Sequence, residues 1–307
     1  RDTDRSRGLG DVYKRQLLHL GEKDLPLATL CGMSGVFSAL FGTPLTATVF
    51  ALEVISVGVL YYAGLVPCIT AAMAAYGVSA LMGVEPTRFT VSMPRVTLEL
   101  MLPVVALAIL CAVVSILFCK GLHWTERLLD RGFRSPWVRV LAGSVLLIGM
   151  SLLTNGDYNG AGMDVIARAL AGEADGWAWL LKILFTAVTI GCGFKGGEVV
   201  PSFFVGAAFG CFMGGLLGLP AGFSAAVGLV SVFCGATNTL IPSILLAYEL
   251  FGGVGLELIA LGCGVCYMLS GTHGLYSSQL FVTEKLLSEY TESWGKPVSY
   301  THLRAHE

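Results

Sequence analysis

Long apolar stretches without charged side chains dominate this chain. A helix needs about 20 apolar residues to cross a bilayer, and each stretch is about that long or longer. The longest must hold at least two helices. The pattern predicts an all-α polytopic membrane protein. The stretches without Asp, Glu, Lys or Arg are 25–52, 54–84, 100–119, 140–156, 199–248 and 258–283.

Glycine, proline, threonine and asparagine interrupt the apolar stretches, as at 41–44 and 237–240. Several of the resulting helices are too short to span a bilayer, which is typical of the broken helices of transporters. We predict helices at 26–40, 44–60, 62–82, 97–130, 138–153, 162–171, 177–191, 201–218, 221–236, 240–251, 254–270 and 276–290.

Composition supports the membrane interpretation independently. Hydrophobic residues make up 55% of the chain and charged residues 13%, against about 25% charged in a typical soluble domain. Gly206, Gly210 and Gly214 form a GxxxGxxxG pattern, which predicts close helix packing. One connection is crowded with basic residues, which places it on the cytoplasmic side. Its charged residues are Lys120, Arg127, Arg131, Arg134 and Arg139, with Glu126 and Asp130.

The two ends differ in character from the rest. Residues 1–16 are half charged, and both this leader and the tail 298–307 resemble translated adapter or library-junction sequence. We expect both to be non-native, with 17–297 forming one transmembrane domain and the native N-terminus lying upstream of Leu17. The alternative is a disordered native tail.

The stretch 191–206, GCGFKGGEVVPSFFVG, places a glycine-rich turn, a carboxylate and a proline before an apolar helix. Pro201 suits the first helical turn, and amides just upstream have no carbonyl of their own helix to bond. With the positive end of the helix dipole, they favour an anion. The predicted anion-binding residues here are Gly197, Glu198, Val199 and Val200. The alternative is a simple helix break in a polar loop.

A repeat at a fixed offset of 196 residues relates 32–54 to 228–250, both with an apolar helix, a threonine break and a second helix ending in glutamate. The matching glutamates are Glu53 and Glu249. This is typical of a duplicated transporter, so we expect an inverted-repeat architecture with the two copies related by a near two-fold axis in the membrane plane.

These motifs resemble the CLC chloride channel and transporter family. GGEVVP resembles its second anion-binding loop, and the acidic residue Glu198 is similar to the fluoride/proton antiporter branch. SGTHGLYSSQ (270–279) resembles the central tyrosine segment, so the resemblance implies that the Tyr276 hydroxyl reaches the anion. It also implies a homodimer and, in the first half, a gating glutamate in a GREG-like loop upstream of Leu17.

Two positions refine the choice of branch. FGTPLTATVFALEV resembles the helix that bears paired glutamates in chloride/proton exchangers, but here Glu53 is followed by Val54. The missing second acid agrees with fluoride-type members and argues against a chloride exchanger. Val200 stands where the fluoride branch often has a hydroxyl residue, which removes one side-chain contact and leaves the backbone donors.

Several residues have two interpretations. Glu198 is either a proton-path residue or a carboxylate that caps the next helix turn. We interpret Glu53 and Glu249 as structural carboxylates bonded to backbone, and His273 as a turn donor. Cys263 and Cys266 have CxxC spacing on a charge-free helix, which indicates packing. We therefore expect neither metal nor cofactor.

The sequence thus predicts a membrane anion transporter in the bacterial plasma (inner) membrane, most simply one that exports fluoride coupled to proton import. Its expected partners are fluoride or chloride, protons, the lipid bilayer and a second subunit, but not nucleic acid. A chloride channel or chloride/proton exchanger is the alternative. A remote alternative is a rhomboid-like serine protease, because 32–35 reads GMSG and His273 would be its base; we expect no enzyme.

Overall fold

The computed structural model describes residues 24–133, 135–276, 279–281 and 285. The predicted non-native ends, 1–16 and 298–307, lie outside the described residues. The described chain forms two compact units. The first contains 24–52 and 60–87, and the second contains 53–59 and the described residues from 88 onward.

Helices make up nearly all of the regular structure. Within the part of the chain that the structure describes, five stretches are long and apolar enough to cross a membrane, by length and composition. The helices are α1 (Asp24–Phe41), α2 (Pro44–Glu53), α3 (Leu65–Leu81), α4 (Leu98–Gly132), α5 (Pro136–Leu153), α6 (Met163–Leu170), α7 (Ala178–Gly191), α8 (Val199–Leu216), α9 (Ala221–Thr237), α10 (Leu240–Phe251) and α11 (Leu256–Leu269), with a 3-10 turn at Tyr62–Gly64 and strands β1 (Ser56–Val57) and β2 (Leu280–Phe281).

In the first unit, α1 packs along α3 through polar contacts one helical turn apart. The hydroxyl of Ser34 donates to the Cys68 carbonyl at 3.0 Å, and the hydroxyl of Ser38 donates to the Ala72 carbonyl at 2.8 Å. Ser34 is fully buried. The serine of the GMSG motif is therefore a packing donor between two helices, which argues against the protease alternative.

In the second unit, α9 is the central helix. Every residue from 223 to 237 is buried, as expected of a helix that is apolar on all sides. Helix α8 lies against α9 so closely that a Cβ at Gly206 or Gly210 would overlap the backbone of α9 at Gly228 or Ser224. The predicted close packing through the glycine pattern is confirmed.

The predicted helix 44–60 ends early, at Glu53. A continued helix would need the carbonyls of Val54 and Ile55, but these accept hydrogen bonds from the side chain of Gln279 (2.8 Å) and the amide of Leu280 (3.0 Å). As a result β1 pairs in parallel with β2. The predicted helix 276–290 is therefore wrong at 280–281, and most of its remainder lies outside the described residues.

The repeat is visible in the helix boundaries. The offset of 196 places the last residue of α1, Phe41, on the last residue of α9, Thr237, and the first residue of α2, Pro44, on the first residue of α10, Leu240. Between the helices, Gly42 and Asn238 correspond, and both have left-handed backbones, with φ of 69° and 57°. The predicted pattern of helix, break and helix is confirmed in each copy.

Candidate anion site

The first turn of α8 presents backbone donors without helical acceptors. The helix begins at Val199, two residues earlier than predicted, with Glu198 as its N-cap. The first bond of the turn runs from the Ser202 amide to the Glu198 carbonyl at 3.2 Å. Pro201 is the third helical residue and has no N–H. The amides of Glu198, Val199 and Val200 therefore have no partner within α8, and the helix dipole makes this end positive.

The loop before α8 leaves room for a ligand to approach the backbone. We call residues 196–200 the amide loop. Gly193, at φ 94°, turns the chain after α7. Gly196 and Gly197 are exposed, and a Cβ at either would meet no atom within 4 Å. Open space beside adjacent glycines permits an ion to contact main-chain donors directly.

Glu198 is half-buried, and its side chain makes no capping hydrogen bond. The capping interpretation therefore loses its geometric basis. Burial raises the pKa of the Glu198 carboxyl, and the charge of Glu126 on α4 raises it further. A carboxyl with a raised pKa retains a proton to higher pH, as a proton carrier must.

Tyr276 lies beyond the end of α11. The amide of Leu275, the residue before it, donates to the Ala236 carbonyl at 2.8 Å. Burial and the nearby Glu198 charge together raise the pKa of the Tyr276 phenol to about 12. The phenol is therefore a neutral O–H donor within electrostatic reach of Glu198. We predict that this hydroxyl lies within about 8 Å of the Val199 or Val200 amide, which is close enough for one small ion to contact both donors. This distance stays a prediction.

Tyr276 also lines a cavity of about 230 Å³. Lys120 and His123 of α4 and His273 of the tyrosine segment line it as well. The cavity is thus lined by a lysine and two histidines, whose side chains offer hydrogen-bond donors to an anion.

The other predicted site residues have structural contacts. An oxygen of the Glu53 carboxylate accepts the Leu240 amide at 2.9 Å, so it caps α10, which confirms the structural interpretation. Val54, which follows Glu53 in the sequence, has a buried side chain. A ring nitrogen of His273 lies 3.3 Å from the Ser270 carbonyl, as a turn residue would. That the Glu249 carboxylate is bonded to backbone groups stays a prediction.

Cys263 and Cys266 are free thiols buried in α11. Among the described residues, no group of three or more His, Cys, Asp or Glu side chains is arranged to hold a metal ion.

Sequence reasoning missed two lysines, one buried and one half-buried. Lys182 of α7 is 1% exposed and donates to the carbonyls of Tyr158 (3.0 Å) and Gly160 (2.7 Å), with its ammonium 4.8 Å from the ring centre of Phe204. The sequence feature that marks Lys182 is a single charged residue in an otherwise apolar helix. Lys285 binds Asn238 and the end of α11. No local pattern marks that contact, because its partners are 15 to 47 residues away along the chain.

Comparison with known proteins relates the chain to halide transport proteins. The sequence profile of the voltage gated chloride channel family matches residues 7–271. The chain is 35% identical over 282 residues to the chloride/fluoride channel protein of Pseudomonas syringae pv. tomato, covering 88% of this chain and 62% of the relative.

Solved structures have the same fold. The crystal structure of a CLC-type fluoride/proton antiporter is similar with a TM-score of 0.81 and 32% identity, covering 84% of this chain and 66% of that one. A slow cyanobacterial Cl⁻/H⁺ antiporter matches with a TM-score of 0.69 at 15% identity, covering 83% of this chain and 64% of that one, and supports the fold alone. The chain thus spans somewhat less than two thirds of the length of these proteins.

Proposed function

The chain belongs to the voltage gated chloride channel family, and from that premise we propose that it exports fluoride in exchange for protons. We further propose that it does so as a homodimer in the plasma membrane of a bacterium. The all-α polytopic membrane fold agrees with such a role.

The observation that carries this proposal is the pairing of free amides with Glu198 at the start of α8. The amides of Val199 and Val200 offer donors to an anion, and the adjacent carboxyl is half-buried and not used as a helix cap. An anion and a protonated carboxyl stabilise each other, whereas an anion and an ionised carboxylate repel. Binding of the two cargoes is thereby linked at one place.

The proposed preference for fluoride over chloride follows from hydration. Fluoride is small and strongly hydrated, so a site must replace its water with several short donors at once. Consecutive amides and the neutral Tyr276 hydroxyl are donors of that kind. Val54, in place of the second acid of chloride/proton exchangers, supports the same branch, as does the similarity to the fluoride/proton antiporter.

A second candidate is a channel that passes both halides without protons. The name of the Pseudomonas syringae relative, a chloride/fluoride channel protein, favours it. The two candidate functions differ in whether a fluoride gradient drives protons across the membrane.

Proton movement driven by fluoride separates them. The full-length protein is reconstituted in liposomes with an outward fluoride gradient and no proton gradient, and internal pH is followed with a trapped dye. An antiporter acidifies the lumen as fluoride leaves, whereas a channel does not once the membrane potential is clamped with valinomycin and potassium. Fluoride efflux without acidification would overturn the exchange proposal.

A further inference from the structure

Asn238 occupies the break between α9 and α10 and is fully buried. Its backbone is left-handed, with φ 57° and ψ 36°, a conformation that glycine adopts at least cost. The first copy of the repeat has a glycine at the matching position, Gly42, with φ 69°. The backbone conformation is compatible with either glycine or asparagine, and only asparagine adds an amide side chain that can bind neighbouring segments.

The Asn238 amide holds the tyrosine segment on both sides of Tyr276. Its Nδ2 donates to the His273 carbonyl at 3.2 Å and to Oε1 of Gln279 at 3.0 Å. These partners lie three residues before and three residues after Tyr276. The Nε2 of Gln279 in turn donates to the Thr237 carbonyl at 2.6 Å. One amide thus binds both flanks of the segment to the end of α9.

Lys285 determines which way that amide points. Its ammonium donates to Oδ1 of Asn238 at 2.5 Å, to the Tyr267 carbonyl at 2.9 Å and to the Ser270 hydroxyl at 2.9 Å. An ammonium has three donors and no acceptor, so it requires Oδ1 to face it. The opposite orientation would place NH₂ against the ammonium and Oδ1 against the His273 carbonyl. Both sides of Asn238 therefore select the same orientation.

We propose that Asn238 is a positioning residue that fixes the Tyr276 hydroxyl at the anion, with Lys285 orienting its amide. This inference rests on the proposed function, because it acts through the tyrosine donor. Asn238 itself does not touch the anion. Its predicted effect is on selectivity, since chloride tolerates a misplaced short donor better than fluoride does.

The test uses Asn238→Gly, which keeps the left-handed backbone and removes only the amide. The matched control is Asn155→Gly. Asn155 is the other described non-glycine residue with positive φ, at 52°, and it is exposed. The readout is the ratio of fluoride to chloride efflux rates from liposomes containing the full-length protein. We expect Asn238→Gly to lower this ratio roughly three- to tenfold, the range of one net hydrogen bond, and Asn155→Gly to leave it unchanged.

A double mutant separates positioning from a general loss of structure. If Asn238 acts through the tyrosine hydroxyl, Asn238→Gly has no further effect on the ratio in a Tyr276→Phe background. Asn238→Asp is the second variant. It keeps the Lys285 contact but lacks the Nδ2 donor, so it should lower the ratio as well.

Each failure has its own meaning. A Tyr276→Phe variant that lowers the ratio while Asn238→Gly does not would overturn this inference and leave the proposed function standing. Additive effects in the double mutant would also overturn it, because Asn238 would then act on something other than the tyrosine. If Tyr276→Phe leaves the ratio of fluoride to chloride efflux unchanged, the tyrosine hydroxyl is not part of the anion site. The inference about Asn238 is then overturned as well.

Discussion

Under the proposed function, one carboxyl and a few amides at the start of α8 serve two cargoes, the anion and the proton. An ionised Glu198 would repel the anion that the amides attract, whereas a protonated Glu198 removes the repulsion and can donate. Burial and the charge of Glu126 raise the pKa of Glu198, and we propose that its proton occupancy changes with the anion.

Replacing Glu198 tests this directly. We expect Glu198→Gln to slow fluoride-driven proton movement by on the order of 100-fold, the low end of what a positioned proton-transfer group contributes. Proton uptake and fluoride efflux are measured together in the same liposomes. Unaltered proton and fluoride fluxes in this variant would show that the carboxyl has no part in coupling.

The pH dependence has a defined sign. Because the folded protein holds the Glu198 proton more tightly than the unfolded chain does, this group's contribution to stability decreases as pH rises from the ordinary pKa of 4.5 through the raised value. Coupled transport should decrease over the same range as the carboxyl ionises. Glu198→Gln should remove both slopes, as followed by thermal unfolding and flux at a series of pH values. A slope that persists in the variant would assign it to another group.

Restoring an acid at Val54 should not improve coupling. The Val54 side chain is only 4% exposed, and an unpaired carboxyl there costs roughly 1–3 kcal/mol of stability. We expect Val54→Glu to lower the melting temperature without raising the number of protons moved per fluoride, with Val54→Gln as the matched uncharged control. More protons per fluoride in Val54→Glu alone would contradict the account.

The residue-scale features that sequence reasoning identified were local ones. The amide loop could be predicted because a glycine pair, an acidic residue and a proline in this order are typical of the start of a helix. The contacts of Asn238 were not predicted, because its acceptors lie 35 and 41 residues away. The same holds for Glu53, whose type of role was predicted correctly but whose partner, Leu240, was not.

Among elements, the contact between α8 and α9 positions the amide loop most directly. These helices meet backbone to backbone because glycines on both sides remove the side chains between them. The start of α8 is thereby held beside the C-terminal half of α9, where the Phe203 and Phe233 rings are in contact and which ends at Ala236 and Thr237, next to Asn238. One rigid helix pair supports both the amide loop and the tyrosine segment.

Alanine substitutions on α8 should separate this contact from helix propensity. A Cβ at Gly210 would overlap the Ser224 carbonyl of α9, so we expect Gly210→Ala to destabilise the protein by about 1–3 kcal/mol. A Cβ at Gly215, on the same helix, would meet no atom within 4 Å, so Gly215→Ala should be neutral or stabilising by up to ~1 kcal/mol. Melting in detergent compares the two. Equal melting temperatures would contradict the packing account.

The errors at the element scale have one cause. Residues 54–60 are largely apolar, and neither they nor residues 276–281 carry a charge, so the local pattern favours a continued helix in both places. In the structure, Gln279 and Leu280 bind the carbonyls of Val54 and Ile55 and stabilise a strand pair instead. A pairing across 224 residues, Ser56 with Leu280, leaves no trace in a local pattern.

For the whole molecule, the family and the membrane fold could be predicted from the sequence, because the charge-free stretches and the two site motifs are local patterns of residues. The repeat was predicted from the shared pattern of helix, break and helix at a fixed offset, and the helix boundaries confirm that pattern. Its inversion across the bilayer stays a prediction.

An experimental structure of the full-length protein would test that inversion. We expect α1 and α2 to superpose on α9 and α10 after a near two-fold rotation about an axis in the membrane plane. The same arrangement should bring the Tyr276 hydroxyl to within about 8 Å of the Val199 or Val200 amide, since both donors reach one small ion at roughly 3 Å each. Parallel copies, or a Tyr276 facing lipid, would refute the anion-site assignment.

The most direct measurement of the central claim is the rate at which fluoride and chloride leave identical liposomes containing the full-length protein, at equal gradients. If the amides of the amide loop and Tyr276 form a path for a small desolvated anion, fluoride should be discharged much faster than chloride, and Tyr276→Phe should narrow the difference. Equal rates for the two halides in the unmodified protein would contradict the fluoride assignment and favour a chloride channel or exchanger.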